Sequence, residues 1–106
     1  MYYKLDENKN VIPSSLEEWS NFIENKLPSN YWIVDQETVD GYRVSTVFIG
    51  LCHNFDPYSK VPIVFETMIF DHDDKSVYQR RYSTWNEAEE GHKEAVKWAN
   101  NSNKEE

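Results

Sequence analysis

With 106 residues, 39% of them hydrophobic and 15% aromatic, the chain is long enough for one domain around a single core and too short for two. Its formal net charge of −8 speaks against DNA, RNA or an anionic membrane as partner. The lone cysteine, Cys52, excludes an intrachain disulfide and any zinc motif built on paired cysteines.

The N-terminal stretch is polar from its fourth residue and no apolar run approaches membrane-spanning length, so a soluble, cytoplasmic protein is expected. YYKL, residues 2–5, reads as a short edge strand, followed by a turn at DENKN. VIP then leads into SSLEEWSNFIENKL, where Ser15 and Glu18 have capping-box spacing and Leu16, Trp19, Phe22 or Ile23, and Leu27 recur at helical spacing. Pro28 ends this helix. NYWIVDQETV and YRVSTVFIGL are β-rich runs joined by Asp40-Gly41, a two-residue hairpin signal. A polar loop, CHNFDPYSKVP, separates them from IVFETMIF, the third long strand, residues 63–70. DHDD at 71–74 lacks the glycine and terminal glutamate of a calcium loop and reads as a solvated turn before a fourth strand, VYQRRYS.

The second helix is STWNEAEEGHKEAVKWAN, opened by the Thr84/Glu87 capping box, with Trp85, Ala88, His92, Ala95 or Val96, and Ala99 on one stripe. Gly91 within it costs about 1 kcal/mol relative to alanine, which a close helix–sheet contact beside His92 would offset. NSNKEE, residues 101–106, is expected to be a flexible polar tail. The order of elements predicts one α+β domain over residues 1–100: a single antiparallel sheet of three to five strands with two amphipathic helices packed on it. Two helices leave part of the sheet uncovered, a surface for a homodimer or a ligand.

Glu66 stands inside IVFETMIF with apolar neighbours on both sides. Either a strand arginine (Arg43, Arg80 or Arg81) faces it as a charge-assisted partner, or it orients those arginines toward a phosphate-bearing ligand. Tyr31, Trp32, Tyr42, Phe48, Tyr58, Tyr78 and Tyr82 surround the strands, mostly as packing, with the option of stacking a base. Glu66, with His53 at the loop entry and His92 on the helix stripe, makes an alternative cluster suited to general acid–base work. Its members are scattered and lack ligand spacing, so no metal site and no cofactor are expected, and no nucleophile elbow or phosphate loop is present.

Three stretches, RVSTVFIGLCHNF, FETMIF and RYSTWNEAEEGH, together with YYKLDENKNVIP and SLEEW, carry a resemblance across nearly the whole chain. They resemble a family of small uncharacterised proteins of bacteriophages and prophages, with the pattern VSTVFLGLDH, FETMVF and RYSTWEEAxxGH. Where that pattern has Asp before the first His, this chain has Cys52, so no chemistry at that position is carried over. The resemblance implies a phage origin, hence the cytoplasm of a host cell, and brings no activity with it. The expected function is a non-enzymatic accessory protein acting in counter-defence. It would occupy a host protein or sequester a small nucleotide signal, with Arg43, His53, Glu66, Arg80, Arg81 and His92 as candidate binding residues. The alternative is a small hydrolase of a nucleotide or phosphodiester using His53, Glu66 and His92.

Overall fold

The computed structural model describes residues 2–26, 32–50 and 62–102. The expected loop residues Cys52, His53 and Tyr58, and also Tyr31, Leu27 and most of the polar tail, lie outside them. Two antiparallel sheets and two helices make up an α+β fold.

The first sheet is a hairpin. β1 (Tyr2–Leu5) pairs with β2 (Val11–Ser14), Tyr2 opposite Ser14 and Leu5 opposite Val11. The Asp6 carboxylate closes the turn by accepting from the backbone N–H of Asn8 (2.8 Å) and Asn10 (2.9 Å). This tight turn gives the YYKL strand a local partner, so it pairs within a separate two-stranded sheet rather than joining one larger sheet. Val11–Ser14 is therefore a strand where the sequence suggested only a lead into the helix. Pro13 is tolerated because each strand of a two-stranded ribbon has a free edge.

α1 (Leu16–Lys26) starts at the expected capping box: Ser15 Oγ accepts from Glu18 N (3.1 Å) and Glu18 Oε1 from Ser15 N (3.4 Å). It packs against β1 and β2, not across the larger sheet. Phe22 meets Phe48 edge-on at 5.8 Å and the Trp19 indole N–H donates to Ile49 O (3.2 Å), which ties the hairpin unit to the end of the larger sheet. Leu16 points outward, 56% exposed, so the inner stripe of α1 begins at Trp19.

The larger sheet is a four-stranded meander: β3 (Ile33–Val39), β4 (Tyr42–Phe48), β5 (Phe65–Phe70) and β6 (Ser76–Tyr82), in that spatial order, with β3 and β6 at its edges. Asp40 (φ 50°) and Gly41 (φ 86°) form the expected hairpin turn, both in the left-handed region that matches the twist of the strands. The Asp71 carboxylate accepts from Asp73 N and Lys75 N, which makes the acidic run 71–74 the turn between β5 and β6.

α2 (Trp85–Ser102) crosses all four strands on one face. Its cap uses the expected pair with one bond changed: Thr84 Oγ1 accepts from Glu87 N, as in a capping box, but Glu87 Oε1 accepts from the Thr84 hydroxyl rather than its backbone N–H, both at 3.1 Å. Ala88, Gly91, His92, Ala95 and Ala99 form the buried stripe, and their small size lets the helix lie close on the sheet. At Gly91 the approach leaves no room for a side chain: a Cβ would overlap the ring and hydroxyl of Tyr82. The contact that offsets this mid-helix glycine is therefore Tyr82 of β6.

Two apolar clusters result. One joins Leu5, Phe22, Phe48, Val64, Phe65, Tyr82 and Ala88; the other joins Val44, Ile69, Ala95 and Ala99. Between them, under α2, lie three buried polar side chains, Thr46, Thr67 and His92. No described helix is long and apolar enough to cross a membrane.

Candidate functional site

The polar layer under α2 is built from a cross-strand pair. Thr46 of β4 stands opposite Thr67 of β5, both fully buried, with their hydroxyl oxygens 2.6 Å apart. His92 comes down from α2, 3% exposed, and places Nδ1 2.7 Å from Thr46 Oγ1. Its other nitrogen, Nε2, faces outward to the carboxylates of β3, 2.9 Å from Glu37 Oε1 and 3.7 Å from Asp35 Oδ2.

A backbone irregularity puts those carboxylates there. Ile33 pairs with Val47 and Asp35 with Thr46, so β3 holds one extra residue, Val34, at a β-bulge. Without the bulge, alternation would set Asp35 opposite Ser45, on the face away from α2. With it, Asp35 and Glu37 share the α2 side with Thr46 and Val44.

For the neutral ring, hydrogen-bond accounting allows two arrangements. With the proton on Nε2, the ring donates to Glu37, Thr46 donates to Nδ1, Thr67 donates to Thr46, and every group is satisfied. With the proton on Nδ1, the ring donates to Thr46 and Nε2 turns a lone pair toward two carboxylates, which is favourable only with a cation between them. The order carboxylate–imidazole–hydroxyl matches that of an acyl-transfer triad. Thr46, however, is sealed between sheet and helix at 0% exposure, out of reach of a substrate. The accessible rim of the layer is the Asp35–Glu37 side, where a cleft of about 370 Å³ is flanked by Val34, Glu89, Lys93 and Lys97.

Tyr82 adjoins the same layer from β6. Burial pushes its hydroxyl up from the ordinary tyrosine range, with Thr67 opposing the rise. That hydroxyl is buried and reaches no partner in hydrogen-bond geometry.

Glu66 lies on the other face of the sheet. Its register neighbours are Val47 of β4 and Arg81 of β6. Glu66 Oε2 accepts from Arg81 Nε at 3.0 Å and from Gln79 Nε2 at 2.7 Å, and its side chain is 15% exposed. The strand arginine facing Glu66 is thus Arg81. Arg43, on the same face, stands opposite Phe70 with its guanidinium 4.7 Å from that ring and 3.7 Å from Asp74. Arg80 is opposite Thr67 and so belongs to the α2 side, beside Tyr82 and near Glu90 and Glu94.

The sequence-derived residues are therefore divided. Glu66, Arg43 and Arg81 share the open face, while His92 and Arg80 belong to the helix side; His53 lies outside the described residues. Glu66 and His92 do not meet. The residues that do meet His92, namely Asp35, Glu37 and Thr46, and Thr67 behind Thr46, were not singled out from the sequence. No protein-family model, characterised protein or solved structure matches the chain.

Proposed function

We propose that this chain is a non-enzymatic binding protein that occupies another protein with the open face of its four-stranded sheet. The observation that carries this reading is the composition of that face. Val47, Met68 and Phe70 form a half-buried centre, and Arg43, Arg81, Gln36, Ser45 and Gln79 surround it. Among the described residues of its four strands the face holds one carboxylate, Glu66, already engaged by Arg81 and Gln79. The chain as a whole has 19 acidic residues. Depletion of Asp, Glu and Lys around a centre of Met, Phe and Arg is the compositional mark of a protein–protein interface core.

The partner fitting this face has an apolar patch rimmed by carboxylates that meet Arg43 and Arg81. A nucleotide is served less well. Arg43 and Arg81 flank β5 on opposite sides, four residues apart in register, about 13 Å along the strand, and Arg80 is on the other face. Resemblance to phage proteins is what sets this binding in counter-defence.

Met68→Glu tests the reading, because Met68 lies at the centre of the face and is only half-buried. Host-lysate pull-down, sedimentation and calorimetry against cyclic dinucleotides and ADP-ribose-type signals should be run on both forms. The expected result is a saturable host protein lost with Met68→Glu while the melt is unchanged. Capture that survives Met68→Glu overturns the reading, a face buried in a self-dimer replaces it with homodimerisation, and nucleotide heat replaces it with signal sequestration.

A further inference from the structure

We propose that Asp35, Glu37 and His92 bind a first-row divalent metal ion, Zn²⁺ foremost, at the rim of the cleft between β3 and α2. This site is independent of the open face and lies on the opposite side of the sheet.

Four observations converge. The donor set is one imidazole nitrogen and two carboxylates, ligands that Zn²⁺ takes readily, whereas Mg²⁺ and Ca²⁺ favour all-oxygen shells. The three donor atoms lie within 4.8 Å of one another. A tetrahedral zinc ion with bonds of about 2.0–2.2 Å holds its ligand atoms about 3.3–3.6 Å apart. Nε2 to Glu37 Oε1 at 2.9 Å and Nε2 to Asp35 Oδ2 at 3.7 Å bracket that spacing. Both carboxylates are substantially exposed, 59% for Asp35 and 44% for Glu37, so they are free to adjust around an ion. Asp35 Oδ1 accepts from Gln36 N (2.8 Å), which leaves Oδ2 as the atom turned to His92.

The second observation is the anchoring of the histidine. Metal-bound histidines hold their ring through the other nitrogen, and here Nδ1 is fixed by Thr46, itself fixed by Thr67, all three side chains buried. Third, the β-bulge at Val34 is what puts both carboxylates on the side where Nε2 emerges. Fourth, among the described residues no lysine or arginine is ion-paired to the two carboxylates. Among the described residues Asp35 and Glu37 have only His92 as ion-pair partner, while the neighbouring Lys93 and Lys97 pair with Glu90 and Glu94. Binding takes the neutral ring as its other tautomer: the single proton passes from Nε2 to Nδ1 by exchange with solvent, Nδ1–H donates to Thr46, and the Thr46 hydroxyl turns to Thr67, which is the second of the two hydrogen-bond arrangements with the metal as the cation it requires.

The test uses the full chain stripped with chelator and then titrated calorimetrically with ZnCl₂, MgCl₂ or CaCl₂, with thermal melts in parallel. One Zn²⁺ per chain and a rise in melting temperature with Zn²⁺ alone are expected. Asp35→Asn and Glu37→Gln change exposed side chains and should fold normally, each weakening Zn²⁺ binding by about tenfold or more. Thr46→Val keeps all three ligands and should weaken binding by about 10–100-fold through loss of the Nδ1 anchor. If Thr46→Val does not fold, the two carboxylate variants decide the matter. X-ray absorption should show nitrogen and oxygen neighbours without sulfur. Absence of Zn²⁺ binding by folded wild-type chain overturns the proposal. So does binding that persists in the Asp35→Asn/Glu37→Gln double variant, or binding abolished by Cys52→Ser or His53→Ala.

Discussion

At the scale of single residues, Glu66 shows how burial sets a magnitude. Removing one partner from a fully buried ion pair costs about 3–5 kcal/mol. Here Glu66 is 15% exposed but Arg81 is 41% exposed, so the guanidinium left behind in Glu66→Gln is hydrated by water. The expected loss is about 1 kcal/mol, the range of a partly exposed charged hydrogen bond. That corresponds to a drop of about 4–8 °C in melting temperature, and a thermal melt checks it. Tyr82 makes the reverse case. Its hydroxyl is buried without a hydrogen-bond partner, so Tyr82→Phe should be neutral or stabilising by up to about 1 kcal/mol at pH 7. Its raised pKa gives the sign in alkali: the neutral phenol is favoured in the folded state, so this stability is whole below the unfolded tyrosine value and lost as pH rises through the folded one. Urea midpoints above pH 10 should therefore fall less steeply in Tyr82→Phe than in wild type; equal slopes would show that Tyr82 does not govern the alkaline limb.

Among the elements, α2 carries the greatest consequence, because among the described elements it alone packs across the four-stranded sheet. Thr84→Ala removes both hydrogen bonds of the Thr84 hydroxyl and should cost about 1 kcal/mol, seen as a lower urea midpoint with an unchanged slope. That helix was legible in the sequence because Ala88, His92, Ala95 and Ala99 repeat at three and four and because Thr84 and Glu87 mark its start. The hairpin was legible because Asp40-Gly41 suits only a turn with both residues at positive φ. The metal-binding rim was not. Strict alternation along β3 groups Trp32 and Val34 with Gln36 and Thr38, and places Asp35 and Glu37 with Ile33 on the other face. The bulge breaks that period between Ile33 and Asp35, and periodicity gives no sign of a single inserted residue. Nor does the sequence separate Thr46 and Thr67 from surface threonines; their burial follows from the register of β4 on β5. Glu66 was conspicuous by its apolar neighbours, yet its partner among three strand arginines depended on that same kind of register.

For the whole molecule, acid should be destabilising by an identifiable route. Backbone N–H donors hold Asp6 and Asp71 below the ordinary carboxylate range, and Lys4, with Ser15, does the same for Glu18. Depressed carboxylates contribute stability that is present above their unfolded values and is lost as pH falls through the folded ones. Melting temperature should thus hold steady from pH 7 to about 5 and fall below about pH 4, less so in Asp71→Asn, where the side chain accepting the turn's N–H bonds has no charge to lose. The order of the meander has one further consequence, for polarity of assembly. Its outer strands are unlike: β3 bears Asp35 and Glu37 with no basic residue, β6 bears Arg80 and Arg81 with no acidic one. Two copies meeting by the same edge repel, whereas the β6 edge of one attracts the β3 edge of the next. Contacts of that unlike-to-unlike kind add copies in a single direction, ending in a ring where the rotation closes and in an open filament where it does not. Any assembly built through these edges should therefore be head-to-tail, growing in light scattering at low ionic strength and dispersing as salt is raised.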